Sequence, residues 1–122
     1  MTKVEVFYTG SPPRVTAVRC SGHSNGIRSG DVDMVCASVS LCMEMLEEGL
    51  RHVVAPEAIS DLLITESRAA GDKSISWKKG GGYGVDLLAA TVANTLKNIA
   101  AMYPQNVSIE VKEDKHEKKV ES

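Results

Sequence analysis

The chain has no apolar run near the roughly 20 residues a membrane-spanning helix needs, and nothing in it reads as a membrane segment. Its first residues, Met1-Thr2-Lys3-Val4-Glu5-Val6, lack the apolar core of a secretory signal and begin at once with strand-like alternation. Neither sign of charge is in excess. The net charge of −2 gives no electrostatic reason to expect a nucleic-acid partner. Cysteine is scarce: three residues without framework spacing argue against a disulfide-stapled secreted fold and for reduced thiols. No internal repeat is apparent. These shortages leave a cytoplasmic, globular protein with no membrane contact and no direct nucleic-acid binding.

What is present fits one domain. The 122 residues, 43% hydrophobic and 25% charged, suffice for one modest core. In residues 3–8, Val4, Val6 and Tyr8 alternate with Lys3, Glu5 and Phe7, a half-buried strand. Thr9-Gly10-Ser11-Pro12-Pro13 is a turn, and residues 14–21 form a second strand, with Thr16, Val18 and Cys20 on one face. A long helix is expected over 34–53. Its stripe is Val35, Val39, Cys42, Leu46, Leu50 and Val53, widened by Met34, Leu41 and Met45. So wide a face suits packing against a sheet and against a second protomer. Residues 61–66 and 74–78 read as a second hairpin, and Lys79 to Gly84 as a flexible connection. A helix follows over 85–102, with Leu88, Val92, Thr95, Leu96 and Ile99 on one face. Val107, Ile109 and Val111 mark a last strand, and residues 113–122 a disordered charged tail. The order is ββαββαβ, an α+β fold with two helices packed on a mixed or antiparallel sheet, the domain spanning 1–112.

One stretch carries chemistry. Gly22-His23 opens a polar loop, Ser24-Asn25-Gly26-Ile27-Arg28-Ser29-Gly30-Asp31-Val32, which closes on Asp33-Met34-Val35-Cys36 at the start of the first helix. Asp31 or Asp33 is the natural N-cap. With Asp33 as cap, Cys36 is the third helical residue, where free N–H groups and the helix dipole favour a thiolate. Negative charge on Asp31 and Asp33 opposes this, and a cationic His23 nearby would restore it. His23 is thus a candidate base and acid, Cys36 a candidate nucleophile, and the first-turn amides, that of Cys36 included, candidate oxyanion donors. Ser40, one turn beyond Cys36 on the same face, is placed to bond the site or orient a substrate. Read more plainly, Cys20 and Cys42 are small buried hydrophobes, the aspartates are caps, and His52 and His116 are solvated. One His and one Cys do not supply the three or four ligands of zinc, so no metal and no cofactor is expected. The glycines at 80–82 lack the Lys-Ser/Thr of a phosphate loop.

The pair Gly22-His23, followed by Asp33-Met34-Val35-Cys36-Ala37-Ser38-Val39-Ser40, resembles the Prp family of bacterial ribosomal-processing cysteine proteases. The element order over about residues 2–112 is similar to that family's fold. The resemblance implies a homodimeric endopeptidase that removes the N-terminal extension of bacterial large-subunit ribosomal protein twenty-seven. It makes His23 the base, Cys36 the nucleophile, and Asp33 and Ser40 supporting residues, with the loop from Ser24 to Val32 closing on substrate. The family commonly has alanine where Ser24 stands, and its usual His-to-Cys spacing is one residue shorter. The alternative is a non-catalytic homodimeric module that binds a ribosomal or ribosome-assembly partner. Thiol reactivity at Cys36 separates the two readings.

Overall fold

A computed structural model of the chain describes residues 1–23, 28–29, 32–67, 69–78 and 82–114. Strands β1 (Thr2–Thr9) and β2 (Arg14–Ser21) form the first hairpin, offset by one residue at Phe7/Tyr8, where the register shifts. Two short strands, β3 (Arg28–Ser29) and β4 (Val32–Asp33), pair as a separate ribbon. Helix α1 (Met34–Glu48) follows directly, runs on as a π-turn over Gly49–Val53, and gives way at Pro56 to a short 3-10 turn. Strands β5 (Ser60–Ser67) and β6 (Asp72–Lys78) form the second hairpin. Helix α2 (Tyr83–Met102) leads into β7 (Val107–Glu113). The main sheet has the order β5-β6-β2-β1-β7, antiparallel except where β7 lies parallel to β1. Two helices and a mixed five-stranded sheet in one domain are the α+β architecture the element order implied.

Alternation decides which sheet face is buried. Val4 and Val6 of β1, Thr16, Val18 and Cys20 of β2, Ile75 and Trp77 of β6 and Val107 of β7 all point toward the helices. Against them pack Val35, Val39, Met43, Leu46 and Leu50 of the first helical run, with Val85, Val92, Leu96 and Ile99 of α2. Ala89, Ala93 and Ala100 keep α2 close to its neighbours. Each large side chain so buried contributes about 1.5–3 kcal/mol.

The expected α1 stripe needs correction at its margins. Met43 is fully buried, whereas Val53, Leu41 and Met45 are 77%, 62% and 54% exposed. The apolar face is wider than one sheet can cover, and Val53 is the exposed last residue of the π-turn. In α2 Thr95 is likewise exposed, and Ala89 and Ala93 take the buried face instead. Val111 is half exposed because β7 is an edge strand. Of the residues expected in the tail, Glu113 belongs to β7, and Asp114 donates its N–H to the Tyr8 carbonyl at 2.7 Å and accepts from Thr16 Oγ1 at 3.1 Å. Residues 115–122, with His116, lie outside the described residues, as do Lys79, Gly80 and Gly81.

Candidate active site

Cys36 stands where β4 turns into α1. Asp33 holds extended dihedrals, and its Oδ1 accepts from the N–H groups of Val35 and Cys36, each at 3.0 Å. Asp33 rather than Asp31 is therefore the cap, since its carboxylate satisfies two of the orphan donors of the first turn. This corrects one expectation: the Cys36 amide is already engaged by a carboxylate, so it is not an open oxyanion donor here. An acidic cap and an oxyanion compete for the same N–H.

His23 follows the last residues of β2 through Gly22, whose φ of +82° an L side chain rarely adopts. A Cβ at Gly22 would meet the Met1 carbonyl at 2.7 Å, so the chain start packs directly on this glycine. Gly71, in the β5–β6 turn with φ +72°, packs in turn on Gly22. A Cβ there would stand 2.7 Å from the Gly22 oxygen and 2.9 Å from His23 Cε1. His23 Nε2 lies 3.5 Å from the Ala69 carbonyl. A carbonyl only accepts, so in this contact the ring nitrogen is the donor. Two glycines thus seat the imidazole: Gly22, which already stood beside His23 in the sequence motif, and Gly71, which is distant in the chain and carried no local signal beyond turn composition.

These elements enclose a cavity of about 370 Å³ whose lining includes His23, Cys36, Ser40, Thr2 and Cys20, with Glu44, Glu66, Asp72 and Lys73 on its walls. Three of the predicted site residues, His23, Cys36 and Ser40, are brought to one space, with Asp33 beneath the helix start. Of the expected substrate loop, Ser24, Asn25, Gly26, Ile27, Gly30 and Asp31 lie outside the described residues. Arg28, Ser29 and Val32 pair in the β3–β4 ribbon, where a plain loop was expected. Strands of two residues are too short to leave a readable periodicity.

Two features of the site escaped sequence reading. Thr2, 2% exposed, has its Oγ1 3.4 Å from the Gly22 carbonyl and 3.9 Å from Cys36 Sγ. Lys73 holds a knot of carboxylates: its Nζ is 2.6 Å from Glu47, 3.3 Å from Glu66 and 3.5 Å from Glu44. Burial alone would pull its ammonium down, but hydrogen bonds to Glu47 and Glu66 outweigh this and hold it above the ordinary lysine value. The Lys73 hydrogen bond holds the Glu47 carboxyl below its usual range. Burial pushes the Cys20 and Cys42 thiols up, consistent with inert core cysteines. His52 is exposed and pairs with Glu48 at 3.1 Å. Among the described residues no cluster of three or more His, Cys, Asp or Glu is arranged to hold a metal.

Comparison with known proteins places this geometry. The family model described as cysteine protease Prp matches residues 1–108. The essential ribosomal processing protease Prp of S. aureus, solved with a covalently linked product peptide, has the same fold: TM-score 0.77, 20% identity, 92% of this chain and 100% of that one covered. Its complex with a substrate peptide gives a TM-score of 0.74 at 20% identity, again covering 92% and 100%. A protein of Streptococcus mutans gives 0.75 at 19% identity, covering 93% and 99%. No curated protein matches the chain in sequence. With a thiol at a helix start and an imidazole on the same cavity, and with the family model running over nearly its whole length, the chain belongs to the cysteine protease Prp family.

Proposed function

We propose that this protein is a ribosomal-processing endopeptidase that uses Cys36 and His23 as a dyad. The observation that carries the reading is the single cavity onto which Cys36, His23 and Ser40 open, in a chain of a cysteine protease family. Cys36 Sγ, its proton taken up by His23, attacks the scissile carbonyl as the thiolate. The tetrahedral intermediate collapses to a thioester as His23 protonates the departing amine. Water, deprotonated by His23, then hydrolyses the thioester and frees Cys36. The oxyanion is received either by the Cys36 N–H, once the Asp33 carboxylate yields it, or by another donor on the cavity wall. Ser40 orients the peptide from one turn along α1.

The substrate we propose is the N-terminal extension of large-subunit ribosomal protein twenty-seven. The S. aureus relative is described as a ribosomal processing protease and was solved with a substrate peptide. A cytoplasmic homodimer, free of membrane and nucleic acid, completes the reading. Support for the dimer comes from the exposed Leu41 and Met45 on α1 and Leu87 on α2. Beside Met45 lies an apolar cavity of about 590 Å³ that Val54, Ala58 and Leu88 help to line.

The test is a peptide spanning the extension junction, incubated with the wild type, Cys36→Ala and His23→Ala and read by mass spectrometry. Cleavage at one bond by the wild type, abolished in both variants, is expected. Cleavage by Cys36→Ala would refute the nucleophile. A folded wild-type dimer that cleaves nothing would favour a binding module.

A further inference from the structure

Thr2 is the residue of the cavity that the mechanism leaves unused. It is buried in β1, with its backbone N–H given to the Asn106 carbonyl at 2.9 Å and its position paired with Val107. Its side chain is therefore held by the sheet. That side chain has one proton and two neighbours able to accept it: the Gly22 carbonyl at 3.4 Å and Cys36 Sγ at 3.9 Å. A thiol can donate to the hydroxyl oxygen while the hydroxyl donates to the carbonyl. A thiolate only accepts, and then the hydroxyl proton serves it better than it serves a neutral carbonyl.

We propose that Thr2 is a positioning residue of this site, its hydroxyl turning from the Gly22 carbonyl to the Cys36 sulfur as the thiol ionises. In the thiol form, the hydroxyl ties the segment leading to His23 to the chain start. In the thiolate form, it supplies the sulfur with a buried donor that does not depend on the Val35 and Cys36 amides, which Asp33 occupies. The inference deepens the nucleophile assignment and rests on it.

The hydroxyl can be removed without touching any charge around the sulfur. Among the described residues, the charged and titratable groups around the site include His23 and Cys20 from the β2 side, Asp33 at the cap, and Glu44 on α1. Glu66, Asp72 and Lys73 face the cavity from the second hairpin. Thr2→Val keeps the β-branched shape that suits a buried strand. Thr2→Ser keeps the hydroxyl and drops the methyl.

The experiment is the rate of Cys36 alkylation by iodoacetamide against pH in the full-length protein, read by peptide mass spectrometry. Cys20 and Cys42, both buried with raised thiols, serve as slow internal references. Thr2→Val is expected to move the Cys36 midpoint up by about half to one unit and to slow alkylation near neutral pH by about 3–10-fold. Thr2→Ser is expected to stay within about twofold of the wild type. Thr2→Ala removes the same hydroxyl with no added methyl and must show the same shift, which covers a Thr2→Val protein that fails to fold. A Val or Ala profile superimposed on the wild type would overturn the proposal. So would a Thr2→Ser profile displaced as far as that of Thr2→Val, since packing would then be the cause. A wild-type Cys36 no faster than Cys20 would count against the nucleophile. A shift on hydroxyl removal would support the Thr2 contact in either case.

Discussion

Asp33 performs two physical tasks that substitution can separate. Its Oδ1 accepts from Val35 N and Cys36 N, so Asp33→Ala strips two first-turn donors of that acceptor. Asp33→Asn keeps an oxygen acceptor and removes only the charge. Loss of a side-chain cap costs about 1 kcal/mol, which for a domain of this size lowers Tm by roughly 3–5 °C. Asp33→Asn should lose less than half of that, because Asn caps about as well as Asp. The charge acts on the thiol instead. The carboxylate is bonded to the N–H of the same residue that carries the thiol. A negative charge held that close, where water screens it, opposes a thiolate by about 1 kcal/mol, roughly a fivefold change in the thiolate-to-thiol ratio. Both variants are therefore expected to lower the midpoint of Cys36 alkylation by up to about one unit, while only Asp33→Ala melts early. Thermal unfolding and the pH profile of alkylation, measured on the same samples, read the two quantities. An Asp33→Asn protein that melts with Asp33→Ala would refute the cap. One that raises the alkylation midpoint would refute the charge argument, because the carboxylate would then favour the thiolate, for instance by drawing a cationic imidazole toward it.

Two further perturbations probe the frame of the site. Gly71→Ala forces a Cβ to within 2.9 Å of His23 Cε1 in a left-handed backbone, so it should cost about 1–3 kcal/mol of stability. Peptide cleavage should fall well beyond that loss; a destabilised variant with unchanged kcat/KM would show that this turn does not seat His23. Lys73→Met leaves Glu44, Glu47 and Glu66 without their shared cation, at an expected cost of about 1–2 kcal/mol, since Glu44 and Glu66 remain well exposed. Linkage sets the pH window of that difference. Glu47 is lowered when folded, so its contribution is complete above the ordinary 4.5 and is lost as pH falls through the lowered value. Lys73 is raised, so its contribution is complete below the ordinary 10.5 and is lost as pH rises through the raised value. The Tm gap between wild type and Lys73→Met should hold between those limits and narrow outside them; a gap independent of pH would refute an electrostatic origin.

The cap geometry bears on catalysis as well as stability. A first-turn thiol gains from the helix dipole, yet the carboxylate that satisfies the first-turn amides returns negative charge to the same place. Donors that carry no charge and do not belong to the helix then matter more. Among the residues lining this cavity, the Thr2 hydroxyl meets that description within reach of the sulfur.

Whatever depends on neighbours along the chain was legible in the sequence. Period-two alternation in residues 3–8 and 107–111 marked β1 and β7, and the 3.6-residue recurrence of Val35, Val39, Cys42 and Leu46 marked α1. The Asp33 cap and the third-position Cys36 followed from their spacing, and the Gly-His and Asp-x-Val-Cys-Ala motifs pointed to the family. The tertiary structure alone decided which residues from distant segments meet. Thr2 reaches Cys36 across 34 positions, and Ala69 reaches His23 across 46. Lys73 gathers acids from a helix and a facing strand. It also decided that Met43 is core while Leu41 and Met45 face outward, because periodicity gives the direction of an apolar face but not how much of it a sheet of five strands can cover. Local patterns record the geometry of one element; a site is made where elements cross, and that crossing is set by packing, which leaves no period in the chain.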